Sequence, residues 1–327
     1  MSAPPLVWVV GAGGLLGRSV WRELGGDAWR CEHALSWGDT SRIPREFHDA
    51  VSTFGARVAA EPGRSWAIAW CAGAGIVATP ASALEAETRA FREFLGFVAA
   101  EPTLRATRGQ ISLASSAGGV YGGCFQSPIS ESTRPAPISP YGHQKLEQEQ
   151  ILAEFAANHR NARVLVARFS NLYGPAQRLA KAQGLISHAA RCLIHAAPIH
   201  IYVSLDTIRD YLFADDAGRR LVSGLRRLSS DSDEARVVTK LYASEREVSI
   251  AGLLGVFRQL ARRRLRVIAG LHPVAALQPR RLQFRSRVWC TDGERQVELI
   301  EGVSRVYQHQ LSLFRRGLLA HPSAPRV

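Results

Sequence analysis

The sequence predicts an α/β protein built on a doubly wound parallel sheet, with a smaller C-terminal lobe. Three observations carry that reading. A short apolar run, Leu6-Val-Trp-Val-Val10, feeds without a break into a glycine-rich turn and a helical pattern. Further short apolar runs recur at residues 66–71, 111–114 and 164–169, alternating with stretches of helical period. Each ends in small or hydroxyl-bearing residues, as a chain needs where it skirts a ligand. Strands that alternate with helices predict parallel pairing through crossovers.

The first strand is followed by Gly11-Ala-Gly-Gly14-Leu-Leu-Gly17 and the helical pattern of residues 18–24. Strand, glycine turn and helix together form the phosphate-cradling start of a Rossmann unit. Gly11 permits the tight turn, Gly14 lets backbone approach a pyrophosphate, and Gly17 lets helix pack on strand. The spacing differs from the common Gly-x-Gly-x-x-Gly, although Gly13 creates a near match. The next strand is expected over residues 29–35. Dinucleotide-binding folds place an acid at its end, about twenty residues beyond the glycines, to bind the ribose 2′-hydroxyl. Here the tip reads Leu35-Ser-Trp-Gly-Asp-Thr-Ser-Arg42. Ser36 and Arg42 suit a 2′-phosphate, while Asp39 serves as the acid if the strand runs longer. The pattern leans to NADP(H), with NAD as the other option.

Residues 65–84 carry no charge and are long enough to consider as a membrane span. Their Gly, Pro, Ser and Thr content breaks them into a strand and a loop containing Ala72 and Gly73. A helix is expected over residues 83–100, with Leu84, Phe91, Leu95 and Val98 on its apolar side. The run 111–114 leads into Ser115-Ser116-Ala-Gly-Gly-Val-Tyr121-Gly122. A serine at a strand end can hydrogen-bond a reacting carbonyl, although the same residues serve ordinary turns. Ser139-Pro-Tyr-Gly-His-Gln-Lys145 then combines a serine N-cap with proline at the first helical position. Tyr141 and Lys145, four residues apart, share one helix face. A phenol beside an ammonium is an acid/base pair, the cation favouring tyrosinate and lowering the phenol's pKa.

The second half reads more coarsely. A strand is expected at 237–241, a helix at 249–260 capped by Ser249, a loop at 273–283 and a closing helix at 300–314. His188, Cys192 and His195 share one helix face without an evident fourth ligand, so a packed face is expected and no metal. The chain has 327 residues and a net charge of +13. Residues 1–175 contribute +1 (16 basic against 15 acidic), and residues 176–327 contribute +12 (25 against 13). A basic second half points to an anionic ligand such as a diphosphate. The runs 262–266 and 280–287 interleave few aromatics with their arginines, which argues against a nucleic-acid surface. Only Lys145, Lys181 and Lys240 are lysines, so a lysine beside Tyr141 suits a compact, polarising charge. Five scattered cysteines, and no basic stretch before an apolar run at the start, suggest reduced thiols, no secretory signal and a cytoplasmic setting.

These motifs give the chain a resemblance to the extended short-chain dehydrogenase/reductases, specifically the NAD-dependent epimerase/dehydratase family acting on nucleotide sugars. The matching stretches are Gly11–Gly17, Ser115–Gly122, Tyr141-x-x-x-Lys145, Arg168-Phe-Ser-Asn-Leu-Tyr-Gly-Pro175 and Thr207-Ile-Arg-Asp-Tyr-Leu-Phe-Ala-Asp-Asp216. The resemblance implies a dinucleotide-binding domain over residues 1–175, rejoined by about 206–245. Residues 176–205 and 246–327 would form the substrate lobe. It implies Tyr141 as proton donor or acceptor, and Lys145 as the group that holds the nicotinamide ribose and lowers the Tyr141 pKa. Ser116 would bind the reacting oxygen, with Ser115 the alternative. The cofactor would contact Gly11, Gly14, Leu15, Leu16, Gly17, Ser36, Arg42, Ala72, Gly73, Tyr141, Lys145 and Phe169. Asn171 and Arg209 would contact the substrate's nucleotide diphosphate, and the working assembly would be a homodimer.

Three departures stand out. Glu87 occupies the place of an active-site Asn in the family. The serine turn is one residue longer than the common form. Ala117 and Gly118 stand where dehydratases carry an Asp-Glu pair, so no acid is at hand to protonate a leaving hydroxyl. The expected reaction is therefore NADPH-dependent reduction of a nucleotide-linked 4-keto sugar, with an NAD-dependent epimerase as the alternative. A sensor that binds NADP without turnover, and a nucleic-acid-binding protein, are the readings from other classes.

Overall fold

The computed structural model describes residues 3–32, 35–39, 41–175, 177, 184–230, 236–270, 275, 277–290 and 295–322. In chain order, β1 (Leu6–Val10) leads to α1 (Leu15–Leu24), β2 (Ala28–Trp29), α2 (Ile43–Ala59), β3 (Trp66–Trp70), α3 (Ala81–Ala100) and the short α4 (Pro102–Ala106). Then come β4 (Gly109–Ser116), α5 (Ala117–Val120), α6 (Pro140–Asn158), β5 (Ala162–Phe169), β6 (Asn171–Tyr173) and α7 (Leu185–Ile194). The chain continues through β7 (Ile199–Ile201), β8 (Ile208–Phe213), α8 (Ala214–Ser230) and β9 (Val237–Tyr242). It closes with β10 (Glu247–Ser249), α9 (Ile250–Ala261), β11 (Val267–Ala269) and α10 (Leu299–Arg315).

The main sheet has the order β2-β1-β3-β4-β5-β9, every pairing parallel. Its order reverses between β1 and β3, which opens a crevice at the strands' carboxyl ends. The two faces are packed differently because side chains alternate along each strand. Trp8, Trp66, Ile68 and Trp70 point to one face, where they meet Phe47, Phe54, Phe91 and Phe94. Val7, Val9, Ala67 and Ala69 point to the other, where α1 and α8 lie close. That approach requires Gly218, since a Cβ there would stand 2.7 Å from the Ser19 backbone.

The parallel α/β architecture read from the sequence is the one observed. The second strand is shorter than expected: only Ala28 and Trp29 pair with β1. Beyond them Cys31 and Leu35 still pack on the core, but this edge segment has β1 as its one neighbour, and the pairing ends at Trp29. Residues 33 and 34 of that expected strand lie outside the described residues. β4 runs on through both serines, pairing Ser115 with Arg168 and Ser116 with Phe169. Residues 65–84 form β3, a loop and the start of α3. No helix among the described residues is long and apolar enough to cross a membrane.

The remaining strands make two small sheets, β10-β8-β6 and β11-β7. They pack with α7, α9 and α10 around Tyr173, Phe213, Phe257 and Val306. At the start of α9 the expected cap forms, Ser249 accepting from the Gly252 N–H at 3.0 Å. Of the expected loop at 273–283, residues 273, 274 and 276 lie outside the described residues, and Arg281 bridges to Ile208.

A buried ion pair fastens α6 to the sheet. Arg168 on β5 donates to Glu149 on α6, Nη2 to Oε2 at 2.5 Å and Nε to Oε1 at 3.0 Å. Ser115 donates to the same carboxylate at 2.5 Å, and Arg168 also donates to the Tyr121 hydroxyl. Removing one member strands a buried charge. Glu149→Ala is therefore expected to cost about 3–5 kcal/mol of unfolding free energy. Urea denaturation followed by circular dichroism measures it, and a loss below about 1 kcal/mol would show that the network carries little of the fold.

Candidate active site

The glycine turn, the loop after β3, the end of β4, the first turn of α6 and the end of β5 converge on one cleft of about 1700 Å³. A site for a single drug-sized ligand measures roughly 300–1,000 Å³, so this cleft has room for a second molecule beside the first. Gly11, Gly14, Leu15, Leu16, Ala72, Gly73, Ser116, Tyr141, Lys145, Phe169, Asn171 and Arg209 all line it. Gly17 lies beneath the turn, where a Cβ would collide with the Gly11 carbonyl oxygen. Gly11 has φ +87° and presses on Ala72, 2.6 Å from a would-be Cβ to the Ala72 nitrogen. α1 thus begins on bare backbone, with Gly14 as an N-cap that offers no side chain. Its first N–H groups lack intrahelical partners and suit a phosphate.

The α6 start forms as its residues dictate. Ser139 accepts from the Gly142 N–H at 3.1 Å, and Pro140 opens the helix. Gly142 then meets Gly119, whose carbonyl oxygen leaves no room for a Cβ there. This contact sets Tyr141 against the end of β4. Ser116 caps α5 by accepting from the Gly119 N–H at 3.1 Å, and its hydroxyl bears on the Tyr141 phenol. Ser115 is committed to Glu149, so Ser116 is the hydroxyl beside the phenol.

Lys145 is only 5% exposed. Its Nζ donates to Gln148 at 3.0 Å and lies 5.8 Å from the centroid of the Tyr141 ring. Burial pushes the Tyr141 phenol up, with the Ser116 bond pulling it down and Glu87 pushing it further up. Burial pulls Lys145 down, opposed by Glu87 and Glu149. The sequence predicts a phenol lowered by Lys145. Instead, desolvation dominates, and the phenol's pKa lies above its ordinary value.

Glu87 enters the site from α3. It accepts from the Ala74 N–H at 2.6 Å and from Gln144 Nε2 at 3.2 Å. Where the family carries a neutral amide, this chain has a carboxylate whose charge bears on both Tyr141 and Lys145. Gln144 Oε1 is buried without a hydrogen-bond partner among the described residues.

The far end of the cleft is cationic. Arg209 on β8 is 8% exposed and donates to the Ile208 carbonyl at 2.8 Å and to Gln278 at 3.3 Å. Burial pulls its pKa down, and no carboxylate pairs with it among the described residues. Asn171 donates to the Asp210 carbonyl at 2.9 Å. Sequence reasoning missed Arg191 on α7, which is 9% exposed, lines the cleft and has an unpartnered Nε among the described residues. It sits three residues after His188, on the helix that the His188/Cys192/His195 spacing singles out. Of that trio His188 and Cys192 meet, Nε2 to Sγ at 3.7 Å, and His195 does not join them. His188 lines the cleft, Cys192 is buried, and His195 packs on Phe314. Arg280 and Arg281, basic residues of the same lobe, turn to Asp206 and Glu247.

Ser36 and Arg42, expected at a 2′-phosphate, do not line the cleft. Both bond Glu46, a carboxylate that sequence reasoning passed over because it belongs to the following helix.

A Rossmann-type sheet, a bare helix start shaped for a diphosphate, and a Ser/Tyr/Lys set in the same cleft define an extended short-chain dehydrogenase/reductase. The chain belongs to the NAD dependent epimerase/dehydratase family, whose model matches residues 7–238. Over 107 residues it is 36% identical to dTDP-4-dehydro-6-deoxyglucose reductase of Escherichia coli, a stretch that is 33% of each protein. Over 115 residues it is 34% identical to UDP-glucose 4-epimerase of Azospirillum brasilense, 31% of this chain and 33% of that one. The chain thus matches only a third of the length of these relatives. The structure of RMD from Pseudomonas aeruginosa complexed with NADPH aligns with a TM-score of 0.71 at 21% identity. That alignment covers 93% of this chain and 97% of the other, a likeness of fold.

A phenol that donates a proton works only while protonated, so turnover should hold below the Tyr141 pKa and fall as pH rises through it. Glu87→Gln removes a charge that pushes the phenol up. The alkaline limb of the pH–rate profile is expected to move to lower pH in that variant. An unmoved limb would show that Glu87 serves only to hold Ala74 and Gln144.

Proposed function

We propose that this protein reduces a nucleotide-linked 4-keto sugar, using a nicotinamide cofactor as hydride source. The observation that carries the reading is the Tyr141 phenol placed with Ser116 and Lys145, in a cleft with the glycine turn at one end and buried arginines at the other. The α1 start and Gly11 would hold the cofactor's diphosphate, and Ala72, Gly73 and Phe169 would lie along it. A reduced nicotinamide bound there supplies hydride.

The chain's own residues do the rest. Ser116 hydrogen-bonds the sugar's carbonyl oxygen and orients it. Tyr141 passes its proton to that oxygen as negative charge develops there, and burial keeps the phenol protonated until that moment. Lys145 stabilises the tyrosinate that remains. Arg209 and Arg191 bind the anionic nucleotide, whose charge offsets the cost of burying two guanidiniums. Dehydration is disfavoured, since Ala117 is fully buried and neither it nor Gly118 carries an acid. The short match to a 4-keto-sugar reductase supports the same direction.

The test is to supply a nucleotide 4-keto-6-deoxyhexose with NADH or NADPH and follow cofactor absorbance alongside product. Stoichiometric oxidation supports the reductase. Interconversion of two nucleotide hexoses without net cofactor consumption makes the protein an epimerase instead. Tyr141→Phe is expected to lower turnover by about 10²–10⁴ while leaving dinucleotide binding nearly intact. Retention of most activity in that variant would remove the role given to the phenol.

A further inference from the structure

We propose that the face built by the end of α9, β11 and the end of α10 docks on an anionic lipid membrane, holding the protein at a bilayer surface without spanning it. This surface lies outside the cleft, and its role is independent of the chemistry assigned there.

Residues 248–291 hold nine arginines and no Asp or Glu. Arg280, Arg281 and Arg285 turn to carboxylates from other segments. Arg258, Arg262, Arg263, Arg264 and Arg266 are all exposed, and none pairs with a carboxylate among the described residues. Arg262 ends α9 with φ +52°, in the left-handed region where glycine is the usual residue. A guanidinium thus stands where backbone geometry favours having no side chain at all.

β11 follows directly and pairs with β7 alone, leaving Val267 and Ile268 39% and 43% exposed. The face continues onto α10. Arg266 donates to the Ala196 carbonyl, and the ring of the preceding His195 packs edge-on against Phe314 at 5.0 Å. Phe314 is 43% exposed and Leu318 61%. Arg315 and Arg316 stand exposed between them, again without a carboxylate partner among the described residues. The Leu318 N–H donates back to the Leu313 carbonyl at 2.9 Å, which folds the end of α10 onto itself.

Seven guanidiniums and four partly exposed apolar side chains therefore share this face. The planar guanidinium fork matches the phosphate oxygens of lipid headgroups, and apolar tips beside it can enter the boundary between headgroups and acyl chains. A nucleic-acid surface would interleave stacking rings with its arginines, and residues 258–269 contain none. A protein interface gathers its apolar atoms into a core depleted of charge, whereas here arginines stand among them.

The experiment pellets the intact protein with vesicles of phosphatidylcholine alone, or with about 30% phosphatidylglycerol, at roughly 0.1 and 0.5 M salt. Partition onto the anionic vesicles should exceed that onto neutral ones at least about tenfold, and fall at the higher salt. At about fivefold per arginine, the triple variant Arg262→Gln, Arg263→Gln, Arg264→Gln should lose about a hundredfold. Ile268→Ser with Leu318→Ser, all charges kept, should lose severalfold and lose most of the binding that survives high salt. If the triple variant fails to fold, judged by circular dichroism, Arg315→Gln with Arg316→Gln carries the test, with a loss of about twentyfold. No pelleting with anionic vesicles, equal pelleting with neutral ones, or undiminished binding in the arginine variants would overturn the proposal. Equal affinity for a DNA duplex or for polyglutamate would overturn it too, making the face a binder of polyanions rather than of lipid.

Discussion

The site depends on a buried charge that cannot be left alone. Arg168, inside the sheet at β5, is balanced by Glu149 on α6, and Ser115 and Tyr121 complete the hydrogen bonds around the pair. Desolvating two ions is costly, and only near-complete pairing compensates it. That requirement ties β4, β5 and α6 into one rigid unit. Lys145 and Tyr141 stand one and two turns before Glu149 on the same helix, so the network that satisfies Arg168 also sets both of them at the end of β4. Ser115 is consumed in the network, and Ser116 stands outside it.

Electrostatics then divide the cleft. At the glycine turn the charge is that of backbone N–H groups at a bare helix start, which suits a diphosphate held without a clamp. At the opposite end Arg191 and Arg209 are buried with no carboxylate paired to them among the described residues, an arrangement suited to receiving an anion. In the same cleft Tyr141 is half-buried and feels the field of Glu87. The carboxylates of the region are placed to tune rather than to bind. Glu87 bears on the phenol and ammonium, and Glu46 covers the donors at the second strand's tip.

Much of this was legible in the sequence wherever local geometry and residue type coincide. The Gly11–Gly17 turn could be read because only glycine tolerates the contact between those two positions, which lie a few residues apart. The Ser139-Pro-Tyr start of α6 was legible because capping is local. What escaped were pairings across the sequence. The state of the Tyr141 phenol was misjudged because spacing shows a neighbouring cation but not the depth of burial. Arg191 was overlooked because its importance lies in sharing a cleft with Arg209, and Glu46 because it reaches back ten residues to Ser36. The second strand was drawn too long because an edge is held by one neighbour, and hydrophobic pattern cannot report how soon that pairing ends.

The sequence by itself determined the layered α/β plan, the glycine turn and the helix start that carries Tyr141 and Lys145, since each follows from periodicity, capping or steric need over a short span. Only the tertiary structure decided which serine stands beside the phenol, which arginines line the cleft and which carboxylates reach Tyr141 and Ser36. Those outcomes depend on desolvation and on charges brought together from distant segments, and both quantities exist only once the chain is packed.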